Sequence, residues 1–243
     1  MRTFCTAVCL VAVVVTGCLL GQAADAEREV PAKPLPVDPK CIRVSKEDEV
    51  WIDEKRKTVI VAGQVCNDLA TLEMFACPRG TKEHEAVVSV NSTAQTIHAA
   101  LLAVGAEPGS PARFDPKYEP PTGSEIGVWV VWDDDEGTRQ RVPGQQWVKH
   151  VPSGKAMTHK WVFAGSGFSE PFGDEKPYYL ADAGDLICVS NFTSAMLDLT
   201  IPSSQNDGSL LFQSFSENVP PVGTPIQLEL KPIQSKAPHE TRQ

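Results

Sequence analysis

The stretch FACPRGTKEHEAVVSV, starting at Phe75, sets Cys77, Lys82, Glu83, His84 and Glu85 between two apolar runs. Thiols and imidazoles are donors that zinc selects, and an imidazole beside a carboxylate is a candidate acid–base pair. Cys66, Glu73 and His98 lie near enough in the chain to join either arrangement. The spacing argues against zinc. Such sites are usually anchored by a short-spaced chelating pair, but ten residues separate Cys66 from Cys77 and thirteen separate His84 from His98. No metal is assigned. His84 and Glu85 would stand at the start of a strand, where adjacent side chains point to opposite faces and do not converge. They are not the helical H-E-x-x-H motif either, because Val88 occupies the place of the second histidine. His98 borders an apolar helix face, the usual setting of a hydrogen-bonded boundary residue. Glu73, His84, Glu85 and His98 stand as the candidate functional cluster. None is given a catalytic role, and no cofactor is implied.

The remaining motifs fit structure better than chemistry. AGSGFSEPFG places Ser166 between glycines, but Ala164 and Phe168 stand where a nucleophile elbow requires glycine, and Pro171 blocks a following helix. WDDDEG lacks the glycine and the distal glutamate of a calcium loop and reads as a hairpin turn. Trp129 and Trp132 are three residues apart, so in a strand they face opposite sides, and at least some of the tryptophans belong to a core. Dinucleotide and phosphate-loop patterns do not occur.

The elements that must position these residues are mostly strands. TVIVAGQVC (58–66), EAVVSV (85–90), EIGVWVVW (125–132), KWVFAG (160–165), DLICVSN (185–191) and IQLELKP (226–232) are rich in β-branched and aromatic residues. One helix is clear, at about 93–104. Ser92 and Gln95 form a capping box, Ile97, Leu101 and Val104 make an apolar stripe, and Gly105 ends it. A shorter helix is expected over residues 144–150. The expected fold class is α+β, β-rich, with a mainly antiparallel sheet, one clear helix and one or two short ones. The opening stretch reads as strand, Pro-Arg-Gly turn and second strand.

The chain has 243 residues, 42% hydrophobic and 22% charged, with a net charge of -9. That suits a domain with a full core. It does not suit nucleic acid, whose phosphates need clustered Lys and Arg. Residues 1–26 read as an export signal: Arg2, an apolar run over residues 4–20, then small residues. Two processing readings stay open. One cleaves after Ala26; the other removes residues 1–17 at VTGC and lipidates Cys18, which gives the only membrane attachment expected. Residues 27–40, with four prolines and six charges, read as a Pro-rich tether. A single domain is expected over 41–232, with a flexible tail at 233–243. Of seven cysteines, Cys41, Cys66, Cys77 and Cys188 lie beyond the signal. Export favours disulfides, and Cys66 with Cys77, close in sequence on adjoining strands, is the expected pair.

The segments VIVAGQVC, LEMFACPRGTKEHEAVVSV, IHAALLAVGAEPGSPARFDP, PPTGSEIGVWVVW, WVFAGSGF, YYLADAGDLICVSNF and PPVGTPIQLELKP, in this order, resemble the YdjY-like domain family of exported bacterial proteins, frequent in planctomycetes. The resemblance implies one domain, an export signal and an envelope or periplasmic location. It brings no reaction and no catalytic residues. The expectation is an exported, envelope-associated and non-catalytic module that binds a ligand or another envelope protein. The alternative is a metal-binding protein or enzyme built on the Cys/His/Glu cluster of residues 73–98.

Overall fold

Val59, Val61 and Val65, alternate residues of TVIVAGQV, point into one core, and the same period-two pattern recurs along the chain. Among the described residues it generates fourteen strands. They are β1 (Ile42–Arg43), β2 (Val50–Asp53), β3 (Thr58–Val65), β4 (Met74–Pro78), β5 (Ala86–Val90), β6 (Glu125–Asp133) and β7 (Arg139–Pro143), then β8 (Val148–His150), β9 (Lys155–Ala156), β10 (Trp161–Phe163), β11 (Ile187–Cys188), β12 (Leu197–Leu199), β13 (Phe212–Ser214) and β14 (Pro225–Pro232). One helix, α1 (Ala94–Ala103), lies between β5 and β6. The structure, a computed structural model, describes residues 34–171, 173, 176–203 and 211–233. The expected export signal, Cys18, residues 27–33 of the expected tether and residues 234–243 of the expected tail fall outside them.

Eight strands close into a barrel in the order β3-β14-β6-β10-β12-β11-β4-β5, with β5 returning to β3. Two long strands make closure possible by splitting their pairing. β3 bonds β2 through residues 58–61 and β5 through residues 63–65. β6 bonds β10 through residues 125–126 and β7 through residues 129–133. β1, β2 and β7 thus lie off the ring. Gly63 sits where β3 changes partner, and a Cβ there would collide with the Ser89 carbonyl. Ile226, Leu228 and Leu230 of β14, Ile126, Val128 and Val130 of β6, and Leu197 and Leu199 of β12 fill the interior. α1 covers one end through Ile97, Ala100 and Leu101; Trp147 and Phe212 belong to the same core at the other end, beside a small sheet β13-β8-β9. The interior is a packed core rather than a lumen.

The expected α+β class is corrected to a mainly-β barrel, about 11% helical. Closure on itself buries the apolar face of the sheet without a helical layer. The helix expected at 144–150 is a single 3-10 turn, Gly144–Trp147, followed by β8, where β-branched Val148 pairs with Ser214. The cap of α1 is Thr93 rather than Ser92: Thr93 Oγ1 accepts from the Thr96 amide at 3.2 Å. The opening stretch is not a hairpin. β4 and β5 pair in parallel, with Met74 opposite Ala86 and Pro78 opposite Val90. The seven residues 79–85 run back beside β4, turning at Gly80 (φ 81°) and ending in a 3-10 turn, Glu83–Glu85. Their reach of roughly 23 Å exceeds the ~16 Å length of a five-residue strand, so the short crossover is possible.

Candidate functional site

The 3-10 turn, not a strand, carries His84 and Glu85, and it brings them together. His84 Nε2 lies 3.7 Å from Glu85 Oε2, and Lys82 Nζ lies 3.6 Å from Glu85 Oε1. The His84 side chain is 77% exposed, so this contact is weak in water. Glu73 is a backbone neighbour, its amide donating to the Glu85 carbonyl at 3.2 Å. His98 takes part in a different network on α1. Its Nδ1 is 2.8 Å from the Tyr179 hydroxyl, which donates to the Gly165 carbonyl at 2.9 Å. Because the tyrosine proton is committed there, Nδ1 of His98 must carry its own proton and donate. Burial holds the His98 pKa below the ordinary value, which keeps it neutral. The expected cluster therefore separates: Glu73, His84 and Glu85 gather at the start of β5, while His98 braces α1 against the loop at Gly165. Among the described residues no group of three His, Cys, Asp or Glu side chains is placed to hold a metal.

The expected Cys66–Cys77 disulfide is also corrected. Cys41, Cys66, Cys77 and Cys188 are free thiols, and no pair stands at disulfide distance. β5 lies between β3, which leads into Cys66, and β4, which carries Cys77. The Cys66 thiol donates to the Ala86 carbonyl at 3.2 Å. The Cys77 pKa is lowered first by the neighbouring Cys66 side chain and then by donors from Thr81 and the Lys82 amide, against the effect of burial.

The sequence did not disclose a buried polar array on the outer wall of the barrel. Leu197 and Leu199 face the core, so Asp198 faces out, yet it has no exposed surface. Asn191 Nδ2 donates to its Oδ1 at 3.0 Å, the Leu199 amide donates to the same oxygen at 2.7 Å, and Tyr118 bonds Asn191 at 3.1 Å. Burial nevertheless raises the Asp198 carboxyl to about 8. Nearby, Lys82 Nζ lies 3.0 Å from Asp185 Oδ1 and 4.6 Å from the Phe192 ring. Burial opposes the charge on Lys82, but Asp185 and Glu85 outweigh it and hold its pKa above the ordinary value. Ser194 closes on the other oxygen of Asp185. In the sequence LDL and GDL look like surface-facing alternation; only the loop over residues 189–196 covers them.

A cleft of about 730 Å³ opens beside the end of α1. The β2–β3 turn contributes Lys55, Arg56 and Lys57, α1 contributes Leu102, and the end of β14 contributes Lys231 and Ile233. The turn is tight: Lys57 has φ 53°, unusual for a residue with a side chain. Arg56 is committed to Asp53 at 2.5 Å and Glu229 at 3.4 Å. Among the described residues, Lys55, Lys57 and Lys231 form no ion pair. Two apolar side chains flank them, Leu102 at 46% and Ile233 at 39% exposure. A cleft of this size suits a small molecule, and its chemistry suits an anion with an apolar part. The sequence hid it because Lys231 joins Lys55 and Lys57 only through strand pairing.

Three further acidic groups, Asp133, Asp134 and Asp135, meet Glu217 around a second hollow of about 270 Å³. Asp134 there already accepts from the Glu136 and Thr138 amides at 3.1 and 2.8 Å, as expected of a hairpin turn. A family model described as the YdjY domain matches residues 50–231. No curated protein and no solved structure matches the chain.

Proposed function

The chain belongs to the YdjY domain family, and from that premise we propose that it is an exported, envelope-associated binding module without a catalytic centre, which takes anionic ligands at the cationic cleft. One observation carries the reading: in a protein of net charge -9, three lysines without an ion pair among the described residues and two exposed apolar side chains converge on a cleft of about 730 Å³. The packed barrel supports it, since core side chains fill its interior and make a rigid frame for a surface site. The separation of His98 from Glu73, His84 and Glu85 supports the non-catalytic reading, because acid–base work needs groups within hydrogen-bond reach of one substrate.

The test is a titration of the chain with inorganic phosphate, followed by backbone amide NMR. Shifts are expected at Lys55, Lys57, Leu102, Lys231 and Ile233, and their loss in the triple variant K55Q/K57Q/K231Q. Saturable shifts elsewhere, unchanged in the variant, would place the anion site on another face and overturn the reading. Export is tested by N-terminal mass analysis of the chain from its native host: a start at Glu27 or a lipid-modified Cys18 is expected, and an intact Met1 refutes it.

A further inference from the structure

We propose that the occupant of the cationic cleft is the headgroup of an anionic phospholipid, so that the domain docks on an anionic bilayer with this face down; the proposal rests on the reading of the cleft as an anion site.

Three observations converge on a lipid rather than a soluble anion. The first is the mixed chemistry of the rim. Lys55, Lys57 and Lys231 supply ammonium groups for a phosphate, while Leu102 and Ile233 present exposed aliphatic surface beside them. A free anion has no use for that surface. A phospholipid carries phosphate and acyl glycerol side by side, and interfacial segments bury apolar side chains at the headgroup boundary in this way. Glu54, at the start of the same turn, forms no ion pair with the lysines among the described residues.

The second is the polarity of the barrel wall. β6 and β14 run antiparallel, with Lys231 paired to Gly127 near the start of β6. The acidic turn of residues 133–136 lies past the other end of β6, roughly 25 Å away. The lysines thus lie at one end of the strand pair, where Glu125 is paired with Lys160, and the acidic turn lies at the other, where Asp133 is paired with Arg139. An anionic surface attracts the first and repels the second, which fixes which way the domain faces.

The third is where the chain joins the body. Gln227 Nε2 donates to the Leu35 and Pro36 carbonyls at 3.0 and 3.3 Å. Gln227 and Lys231 alternate with core residues Ile226, Leu228 and Leu230, so both point outward from β14, about 13 Å apart. The sequence before residue 34 carries Cys18, the membrane attachment if the chain is lipidated there. Residues 35 and 36, which follow that segment in the chain, lie against the same outward face that carries Lys231.

The experiment is co-sedimentation of the full chain with vesicles of phosphatidylglycerol and phosphatidylcholine, against phosphatidylcholine alone. Any contribution of the N-terminal segment is shared by the wild type and the variant. Wild type is expected to prefer the anionic vesicles, and K55Q/K57Q/K231Q to lose about 100-fold of that affinity, at roughly fivefold per lysine. Binding to phosphatidylcholine stays unchanged, and high salt removes the preference. Circular dichroism checks that the variant is folded. Anionic-vesicle binding equal in wild type and variant overturns the proposal, as does a wild type without preference. If that wild type still shifts its cleft amides with phosphate, the lipid inference falls and the anion cleft stands. If phosphate also fails, both fall together.

Discussion

Replacing Asp198 by Asn isolates the energetics of the outer wall. Asp198 is fully buried, and its carboxyl is raised from an ordinary 3.8 to about 8 by desolvation. The sign follows from proton counts. Below pH ~4 the carboxyl is protonated in both states, and its full contribution is present. Between about 4 and 8 the unfolded chain releases the proton while the folded one keeps it, so stability falls by about 1.4 kcal/mol per pH unit. Above 8 the folded state ionises too, and the loss levels off at ~6 kcal/mol. Asp198→Asn keeps the Oδ1 acceptor used by Asn191 and Leu199 and removes the titration. Its new amide hydrogens replace Oδ2, which has no hydrogen-bond partner among the described residues, and cost ~1–3 kcal/mol at every pH. Urea unfolding of both proteins from pH 5 to 8 is therefore expected to show a stability difference that moves about 4 kcal/mol in favour of the variant. Other titrating groups cancel in the difference. Parallel curves would mean that Asp198 is ionised in the fold, and the desolvation account would be wrong.

Three other outcomes are expected. Lys82→Met leaves Asp185 buried without its cation and costs about 3 kcal/mol, part of which Asp185→Asn restores; additive losses in the double variant would show that the pair is not coupled. Thr93→Ala removes the cap of α1 and lowers stability by about 1 kcal/mol in denaturant titration, whereas Ser92→Ala, at the position the sequence favoured, has a smaller effect; the reverse order refutes the cap assignment. Without reductant, alkylation of Cys77 and Cys188 is slow in the native protein, and all of Cys41, Cys66, Cys77 and Cys188 label on unfolding; a Cys66–Cys77 linked peptide in the digest refutes the free-thiol assignment.

Local signals were read well where local physics decides. β3, β6 and β14 follow from β-branched alternation, and α1 follows from its apolar stripe and Gly105, with a one-residue error at its cap. The β6–β7 hairpin was legible because Asp134 and Gly137 make a turn by themselves. The short strands β11 and β12 were harder. Two or three residues carry almost no period, and both were set by the partners on either side.

By itself the sequence determined the family, the long strand-forming segments, the helix α1 and which residues are apolar enough to be inside. These are properties of a residue and its near neighbours: propensity, period and turn chemistry. Closure of the barrel, the parallel pairing of β4 with β5 and the gathering of Lys231 with Lys55 and Lys57 were decided only by the tertiary structure. The reason is that a strand specifies its two edges but not its partners. The same alternation serves a hairpin, a crossover or a ring, and the choice falls to whichever pairing buries the shared face. His84 and His98 show the consequence: with thirteen residues between them in the chain, they take part in different networks because the 3-10 turn before β5 and the helix α1 carry them to different surroundings.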